Sequence, residues 1–481
     1  MTATVSSASE AGHAATAERP APLYAPRVAP LEKPLGGAAF FVALLKNPLR
    51  VLPAAAYEEA FVISARAGRA VCWITEPSLI KTVLLERRDA FPRTHVTLRL
   101  LGPLLGNGVL TADGRDWKWQ RQTAAPVFRH GDLLAFVPTI VDAAERLLAD
   151  WRTSGREAVR TIERDMTLVT FDVISHTLLP GGDAHVAPLV ARSGFDYQRP
   201  LGWQMAYANF GLPKWFPHPG MLGMRIAQRQ LRSAVAKLVA ERRATPTGAD
   251  DLLQRLMAAK NPETGARMAD ALLIDNLLTF LMAGHETTAK ALTWTLYLIA
   301  RAPHWQERIL AEVQAVAGAG TITAHELDRL LVTRAVLKEA MRLYPPAPMM
   351  TRVVAEDIEL GGHSLKAGTL ILIPIFAVHR HRALWEDPNR FDPERFRPEC
   401  EAAHARTQFM PFGFGPRTCI GNSFAMMEAM ALLASFVRAA RFEWDGVHLP
   451  EPVSRVTLRP KGGMPLKVWL REEIAPARAP R

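Results

Sequence analysis

Cys419 is the residue of this sequence with the clearest chemical potential. It lies in the stretch Phe412–Gly421, which reads Phe-Gly-Phe-Gly-Pro-Arg-Thr-Cys-Ile-Gly, and a helical pattern of apolar residues follows. A helix N-terminus offers free N–H groups and partial positive charge, and both favour a thiolate. The glycines of the loop are expected to take positive φ and to let the backbone approach a flat ligand. Arg417 adds a cation that could pair with an anionic group on that ligand.

The alternative for Cys419 is a buried, inert cysteine, which is a common fate of free cysteines. A cysteine followed two positions later by a glycine would not distinguish the two possibilities. The longer pattern Phe-x-x-Gly-x-Arg-x-Cys-x-Gly fixes several positions at once. It therefore favours a ligand-binding loop.

Glu286 and Thr287 form a second chemically suggestive group, on a long helix predicted over residues 269–300. They interrupt an apolar stripe at helical spacing that would otherwise continue through this position. This interruption favours a functional cluster over a kinked helix with a solvated glutamate. Glycine inside a helix costs about 1 kcal/mol relative to alanine, so the presence of Gly284 requires a reason. We expect that Ala283 and Gly284 leave space for a small molecule. Thr287 can also donate a hydrogen bond to the Ala283 carbonyl, which opens a helix locally.

Two further residue pairs are informative only in context. Glu339 and Arg342 share a helix face and precede Leu-Tyr-Pro-Pro, which ends that helix. Arg395 follows in the segment Phe-Asp-Pro-Glu-Arg-Phe. Trp117 and Arg121 present two donors one helical turn apart, although this spacing is also typical of stacked surface pairs. Taken singly, none of these pairs identifies a function.

In this order, the segments resemble the cytochrome P-450 superfamily, over about residues 35–470. The resemblance implies a non-covalently held haem b whose iron is bound by the Cys419 thiolate. It implies that Glu286 and Thr287 deliver protons to dioxygen, the co-substrate. One departure is Arg382, which stands where many relatives have proline, so the local loop geometry is expected to differ.

The same resemblance assigns roles to the remaining motif residues. Glu339, Arg342 and Arg395 would form a structural network that holds the cysteine loop in place. The residues expected to bind the haem are Trp117, Arg121, Arg352, Phe412, Gly415, Arg417, Cys419 and Gly421.

The predicted fold is mainly α with a small β component, namely the cytochrome P-450 fold. A disordered Ala/Pro-rich tail is expected over residues 1–30, followed by one large domain over 31–475 with the long central helix above the haem. Further helices are predicted near 134–151, 227–243, 304–317, 333–343 and 422–440. Strands are predicted at 69–74, 369–375 and 465–470.

Composition limits the class of protein further. The chain has 481 residues, a net charge of +11 and three cysteines. No basic run with interleaved aromatics indicates nucleic acid, so the charge fits an acidic protein partner or only a solvated surface. The sparse cysteines argue against a disulfide scaffold. Because neither a signal peptide nor a transmembrane segment is recognised, a cytoplasmic location is expected.

The predicted activity is hydroxylation of a lipophilic small molecule by a monooxygenase. The aromatic stretch 195–222 favours such a substrate, although packing explains those aromatics equally well. Because no dinucleotide, flavin or iron–sulfur motif is visible, NAD(P)H is expected to act only indirectly. An acidic ferredoxin or flavodoxin with its reductase would supply electrons, docking near Arg115, Lys118 and Arg129. The alternatives are a peroxide-driven peroxygenase or isomerase, and a non-enzymatic haem-thiolate sensor.

Overall fold

The structure, a computed structural model, describes residues 21–66, 69–178, 197, 200–245, 248, 251–318 and 320–472. Most of these residues are helical, and small sheets lie beside the helices. The longer helices are α1 (Gly37–Lys46), α2 (His95–Leu105), α3 (Gly114–Ala124), α4 (Val137–Thr153), α5 (Ile162–Leu178), α6 (Leu201–Asn209), α7 (Met221–Ala244), α8 (Asp270–Arg301), α9 (Pro303–Ala317), α10 (Leu331–Leu343) and α11 (Asn422–Ala439). Short helices occupy Pro77–Lys81, His130–Leu133, Leu252–Ala258, Ala324–Leu327, Ile375–Val378 and Pro398–Glu401.

The strands are short and form four separate sheets among the described residues. Their bounds are β1 (Phe61–Arg66), β2 (Arg69–Ile74), β3 (Glu157–Thr161), β4 (Met350–Val353), β5 (Ile358–Leu360), β6 (His363–Leu365), β7 (Leu370–Ile373), β8 (Ala440–Glu443), β9 (Pro452–Ser454), β10 (Leu458–Pro460) and β11 (Pro465–Leu470). The largest sheet has the order β1-β2-β7-β4, in which only the β2–β7 pair is parallel. The other sheets are β3-β11-β8, β5-β6 and β9-β10.

The long helix α8 is the central element of the core. Its 32 residues begin with Asp270 in the first turn, where a negative charge favours the helix N-terminus. It ends just before Pro303, because proline disfavours the helical conformation in the residue that precedes it. From Thr288 to Ala300 every residue is buried, and the helix packs on α5, α7, α10 and α11. The sequence pattern predicted this helix to within about a residue at each end.

Residues 21–30 pack against the body of the protein. The N–H of Phe391 donates to the Leu23 carbonyl at 2.9 Å, and the Tyr344 hydroxyl donates to the Pro26 carbonyl at 2.8 Å. The predicted disordered tail is therefore wrong for this part, because distant donors bind the backbone that its prolines keep extended. The rest of the predicted tail lies outside the described residues.

Candidate active site

The loop before α11 holds Cys419 by its backbone. The Cys419 N–H donates to the Phe412 carbonyl at 2.9 Å, and the Thr418 hydroxyl donates to the same carbonyl at 3.3 Å. Gly415 has φ 77°, and a Cβ there would collide with the Leu84 carbonyl oxygen. Only glycine therefore fits at this position of the loop.

The other two loop glycines differ from each other. Gly413 has φ 74°, as the sequence predicted. Gly421 has φ −93°, so the prediction of positive φ was wrong there. Gly421 is the N-cap residue directly before α11. A Cβ at this position would meet nothing within 4 Å.

Cys419 is exposed as a residue, although many protein atoms surround its thiol. Burial raises its pKa, and a hydrogen bond with the Gly421 backbone and the charge of Arg121 oppose that rise. Burial also lowers the pKa of the Arg121 guanidinium, which the charge of Cys419 partly offsets. A metal cation at the sulfur would provide the further positive charge that a stable thiolate needs.

Two arginines converge on the N-terminus of α3. Arg417 lies over the Trp117 ring, with its guanidinium carbon 4.3 Å from the ring centroid. It donates to the Ala112 carbonyl at 3.1 Å and pairs with the Asp113 carboxylate. Arg93 donates to the same Ala112 carbonyl and lies 3.8 Å from the same carboxylate. The two guanidinium groups thus share one carbonyl and one acid.

The cluster has more positive than negative charge. Burial lowers the pKa of Arg352 to about 10 and that of Arg417 to about 10, and neighbouring arginine charges contribute to both shifts. The Nε atom of Arg93 is buried without a hydrogen-bond partner among the described residues. Of the carboxylates described, only Asp113 is found to offset the charges of Arg93, Arg352 and Arg417. These residues therefore fit a ligand that carries carboxylate groups. The propionates of haem are groups of this kind.

Sequence analysis missed Arg93. It follows a proline in a loop of otherwise mixed composition, and no spacing relates it to Arg352 or Arg417. Only the fold brings the three side chains together.

On α8, the Thr287 hydroxyl donates to the Ala283 carbonyl at 2.8 Å, as predicted. Ala283 is exposed although most of the helix is buried. The buried carboxylate of Glu286 accepts a hydrogen bond of 2.7 Å from the Thr457 hydroxyl. The acid and the alcohol thus lie on different sides of the helix, as consecutive residues must.

Gly284 does not open space as predicted. A Cβ at this position would lie 3.1 Å from the Ile174 side chain of α5. The glycine therefore permits close packing of α8 on α5, and this packing explains its presence in a helix interior. The neighbouring His285 is also buried, and its ring Nδ1 lies 2.7 Å from the Leu281 carbonyl.

A second acid near this part of α8 was not foreseen. Glu428 of α11 is 1% exposed, and burial raises its pKa well above the ordinary value, although a hydrogen bond with the Thr288 side chain opposes the rise. Its Oε1 atom has no hydrogen-bond partner among the described residues. Burial of this kind favours the neutral form of a carboxyl group.

The predicted structural network is present around α10. Arg342 donates to both carboxylate oxygens of Glu339, at 2.6 and 2.7 Å, and both side chains are fully buried. Arg395 approaches Glu339 at 3.8 Å. Arg342 also donates to the carbonyls of His379 and Pro388, at 2.7 and 2.8 Å. The network therefore fixes the loop before the cysteine segment.

His379 connects this network to the cysteine loop. The Met410 N–H donates to His379 Nε2 at 3.0 Å, so Nδ1 carries the ring proton and donates to the Arg342 carbonyl at 3.2 Å. Burial lowers the pKa of this imidazole to about 3, and the charge of Arg342 adds to that effect. Phe412, whose carbonyl binds Cys419, is two residues beyond Met410. Sequence analysis did not single out this histidine.

Two tyrosines of the 195–222 stretch contact other helices of the protein. Phe195 is outside the described residues. The Tyr197 hydroxyl donates to the Leu100 carbonyl at 2.8 Å, and Tyr207 stacks on Phe41 of α1 with ring centroids 6.4 Å apart. Packing therefore explains the buried Tyr197 and Tyr207 better than contact with a substrate does.

Comparison with known proteins identifies the family. The sequence model of the Cytochrome P450 family matches residues 33–466. A solved structure, the cytochrome P450DA heme domain, superposes with a TM-score of 0.75 at 26% identity, covering 86% of this chain and 91% of that one. The chain belongs to the cytochrome P450 family and has the P450 fold.

The similar sequences include named oxygenases. Cyclooctat-9-en-7-ol 5-monooxygenase of Streptomyces melanosporofaciens is 31% identical over 82% of this chain and 85% of its own. Cyclooctatin synthase of the same organism is 30% identical over 90% and 92%, and a cytokinin hydroxylase of Arabidopsis thaliana is 30% identical over 85% and 80%. The chain is thus an oxidoreductase of the cytochrome P450 monooxygenase class. Among the described residues, none of the helices has both the length and the apolar character needed to cross a bilayer.

Proposed function

We propose that this chain is a haem-thiolate monooxygenase that hydroxylates a lipophilic small molecule with dioxygen. When bound, haem b supplies the iron centre at which dioxygen is activated. Cys419 would hold the iron, and Arg93, Arg121, Arg352, Arg417 and Trp117 would bind the propionates. The observation that supports this best is the excess of arginine charge around Asp113, which includes Arg417, two residues before Cys419.

Glu286 and Thr287 are the proposed proton donors. The Thr287 hydroxyl lies beside the exposed Ala283, so it can hold a proton on the open side of α8. The Glu286 carboxyl, bonded to Thr457, is the acid that would replace this proton through water. Both groups favour use of dioxygen over use of peroxide, because peroxide already brings its protons.

The carbon monoxide difference spectrum of the dithionite-reduced holoprotein tests the iron ligand. We expect a strongly red-shifted Soret band for the native protein and loss of that band for Cys419→Ser. Cys400→Ser is the matched control, because Cys400 is exposed on the short helix Pro398–Glu401, and it should keep the native spectrum. A native band at the position typical of imidazole ligation would show that the ligand is misassigned.

An acidic one-electron carrier, a ferredoxin or flavodoxin with its reductase, is the proposed source of electrons. Arg115, Lys118 and Arg129 are all exposed in or near α3, although Lys118 is 3.3 Å from Glu263. We expect the rate of reduction to fall as ionic strength rises, and Arg115→Gln/Arg129→Gln to weaken this dependence. Lys366→Gln, which changes an exposed lysine in the β5–β6 hairpin region, is the control. A rate independent of salt would overturn the proposed docking face.

A lipophilic substrate is supported by the apolar residues on the first half of α8 and by the partly buried Met349 and Met350. The names of two relatives, a cyclooctat-9-en-7-ol 5-monooxygenase and an 11-oxo-beta-amyrin 30-oxidase, agree with such a substrate. Turnover with NAD(P)H and redox partners, compared with turnover on peroxide alone, separates the monooxygenase from a peroxygenase. Haem binding without any oxidation of candidate substrates would favour a sensor.

A further inference from the structure

Arg380 is a buried arginine directly after His379, and only 2% of it is exposed to solvent. Its Nε, Nη1 and Nη2 atoms all lack a hydrogen-bond partner among the residues that the structure describes. A guanidinium group carries several N–H donors and stays protonated in proteins. Because buried polar groups normally bind a protein atom, a water molecule or an ion, this side chain requires an explanation.

Aromatic rings contact this guanidinium group. Its central carbon lies 3.9 Å from the ring centroid of Phe376, in the short helix Ile375–Val378, and 5.5 Å from that of Tyr344. Contacts between a cation and the face of an aromatic ring are favourable. They leave the N–H groups without an oxygen or an anion as acceptor, so a partner for Arg380 is still needed.

The charge of Arg380 is not balanced by a neighbouring acid. Among the described residues, the ionisable groups found to act on this charge include no carboxyl group, and they are Tyr57, Tyr344, Arg342 and Arg27. Burial lowers the pKa of Arg380 to about 10, so the side chain is still positively charged at neutral pH. Burial also raises the pKa of Tyr57 to about 12 and raises that of Tyr344. Both phenols are therefore neutral at that pH and provide no negative charge.

The nearby arginines increase the need for a negative charge. Arg342 is already paired, because it donates to both carboxylate oxygens of Glu339. Arg27 is exposed to solvent, and its charge acts against that of Arg380. A water molecule would accept hydrogen bonds from Arg380 but would not offset its charge. Since burial of an uncompensated charge is costly, an anion fits this position better than water does.

We propose that Arg380 binds one chloride ion inside the folded protein. The aromatic surroundings favour a weakly hydrated monatomic anion over a strongly hydrated one, because less hydration is lost on burial. The ion would offset the charge of Arg380 and reduce its repulsion with Arg27, which belongs to the segment 21–30. It would thereby stabilise the packing of this segment on the body of the protein. The site requires neither haem nor substrate, so it does not depend on the proposed reaction.

Unfolding of the holoprotein in sodium chloride and in sodium fluoride, at equal ionic strength, tests the proposal. Chloride should stabilise the protein in a saturable manner, because a ligand that binds only the folded state shifts the equilibrium towards it. At about ten times the dissociation constant, the unfolding equilibrium constant should fall about tenfold. Fluoride should have a smaller effect, because its stronger hydration opposes burial.

Variants of two arginines in the same loop separate this site from general effects of salt. Arg380→Met has a neutral side chain of similar length, so it should fold and lose the saturable response to chloride. Arg382→Gln is the matched control, because Arg382 is exposed and pairs with Glu58. It should keep the native response.

Bromide provides a second measurement that needs no variant. Crystals of the native holoprotein soaked in bromide should show an anomalous peak within hydrogen-bond distance of the Arg380 nitrogens, higher than any peak at a surface arginine. The proposal is overturned if this peak is absent, or if the folded Arg380→Met variant keeps the native response to chloride. It is also overturned if the response appears only in Glu10→Gln/Glu18→Gln, which removes both acids of residues 1–20. An acid of the chain itself would then be the native partner of Arg380.

Discussion

At the scale of single residues, the hydroxyl of Thr287 is the group on α8 that we propose as a proton donor. It donates to the Ala283 carbonyl on the exposed side of an otherwise buried helix. Thr295 has the same bond to Ala291, at 2.7 Å, but lies in the buried second half of the helix. The two threonine hydroxyls therefore make the same type of hydrogen bond, but Thr295 is buried and Thr287 is only partly buried.

This pair gives a matched test of proton delivery. Thr287→Ala should uncouple the reaction, so that more peroxide is released per NAD(P)H consumed while the carbon monoxide spectrum stays native. The peroxide released per NAD(P)H should rise several-fold, because positioned proton donors contribute about 10²–10⁴ in rate. Thr295→Ala should leave coupling unchanged. Native coupling in Thr287→Ala would contradict the role proposed for this hydroxyl.

The sequence allowed some of these residues to be predicted and not others. Cys419 and the Thr287–Ala283 bond depend on neighbours within a few positions, so a local pattern indicates them. Arg93 and Glu428 depend on partners far along the chain. The charge of Arg93 matters because Arg417 reaches the same carboxylate, and the raised pKa of Glu428 follows from its burial. The spacing of residues in the sequence indicates neither the shared carboxylate nor the burial of Glu428.

At the scale of elements, the cysteine loop is positioned by α10 through a chain of buried hydrogen bonds. Glu339 fixes Arg342, Arg342 binds the carbonyl of His379, and His379 accepts the N–H of Met410. The bond from Cys419 to Phe412 lies directly beyond. A disturbance of the imidazole should therefore reach the loop that holds the sulfur.

His379 also makes the stability of the protein depend on pH. The pKa of its imidazole is near 6.5 in the unfolded chain and is lowered to about 3 in the folded one. Between these values the unfolded state binds a proton that the folded state does not, so stability falls as pH decreases from about 6.5. Denaturant unfolding at neutral and acidic pH measures this slope.

His379→Gln should flatten that part of the pH dependence. It should also lower stability at neutral pH by about 1–3 kcal/mol, because the buried N–H of Met410 loses its present acceptor. His325→Gln, at an exposed histidine, is the control and should keep the native slope. An unchanged slope in His379→Gln would show that other groups cause the acid sensitivity.

Helices and sheets differed in how far they were predictable. The apolar period defined α8 and α11 closely, since long helices repeat their pattern many times. Strand β2 and strand β11 were predicted at their observed bounds. The hairpin of β5 and β6 was not, because strands of three residues are too short to show alternation.

At the scale of the whole molecule, residues 21–30 belong to the folded body. Ala25 and Val28 are buried, and the Tyr24 hydroxyl donates to Asp387 at 3.0 Å. The backbone carbonyl of Asp387 also accepts a hydrogen bond from the Arg395 side chain. This segment therefore supports the loop that precedes the cysteine segment.

Truncation measures this support. A chain that begins at residue 31 should unfold at a lower temperature than one that begins at residue 21, because each lost buried hydrogen bond contributes about 1 kcal/mol. Haem loss on heating, followed at the Soret band, should shift in the same direction. Equal unfolding temperatures for the two chains would show that the segment adds no stability.

The contact between Tyr24 and Asp387 spans 363 positions along the chain. A ribosome that synthesises the protein from its N-terminus must therefore make most of the polypeptide before this contact can close. Until then Tyr24 cannot form its hydrogen bond with Asp387. Contacts between residues this far apart in sequence form slowly. Closure of this contact is thus a late event in the synthesis of the protein. The growing polypeptide should therefore expose its early segment until synthesis is nearly complete, and chaperones would have to protect it during that time.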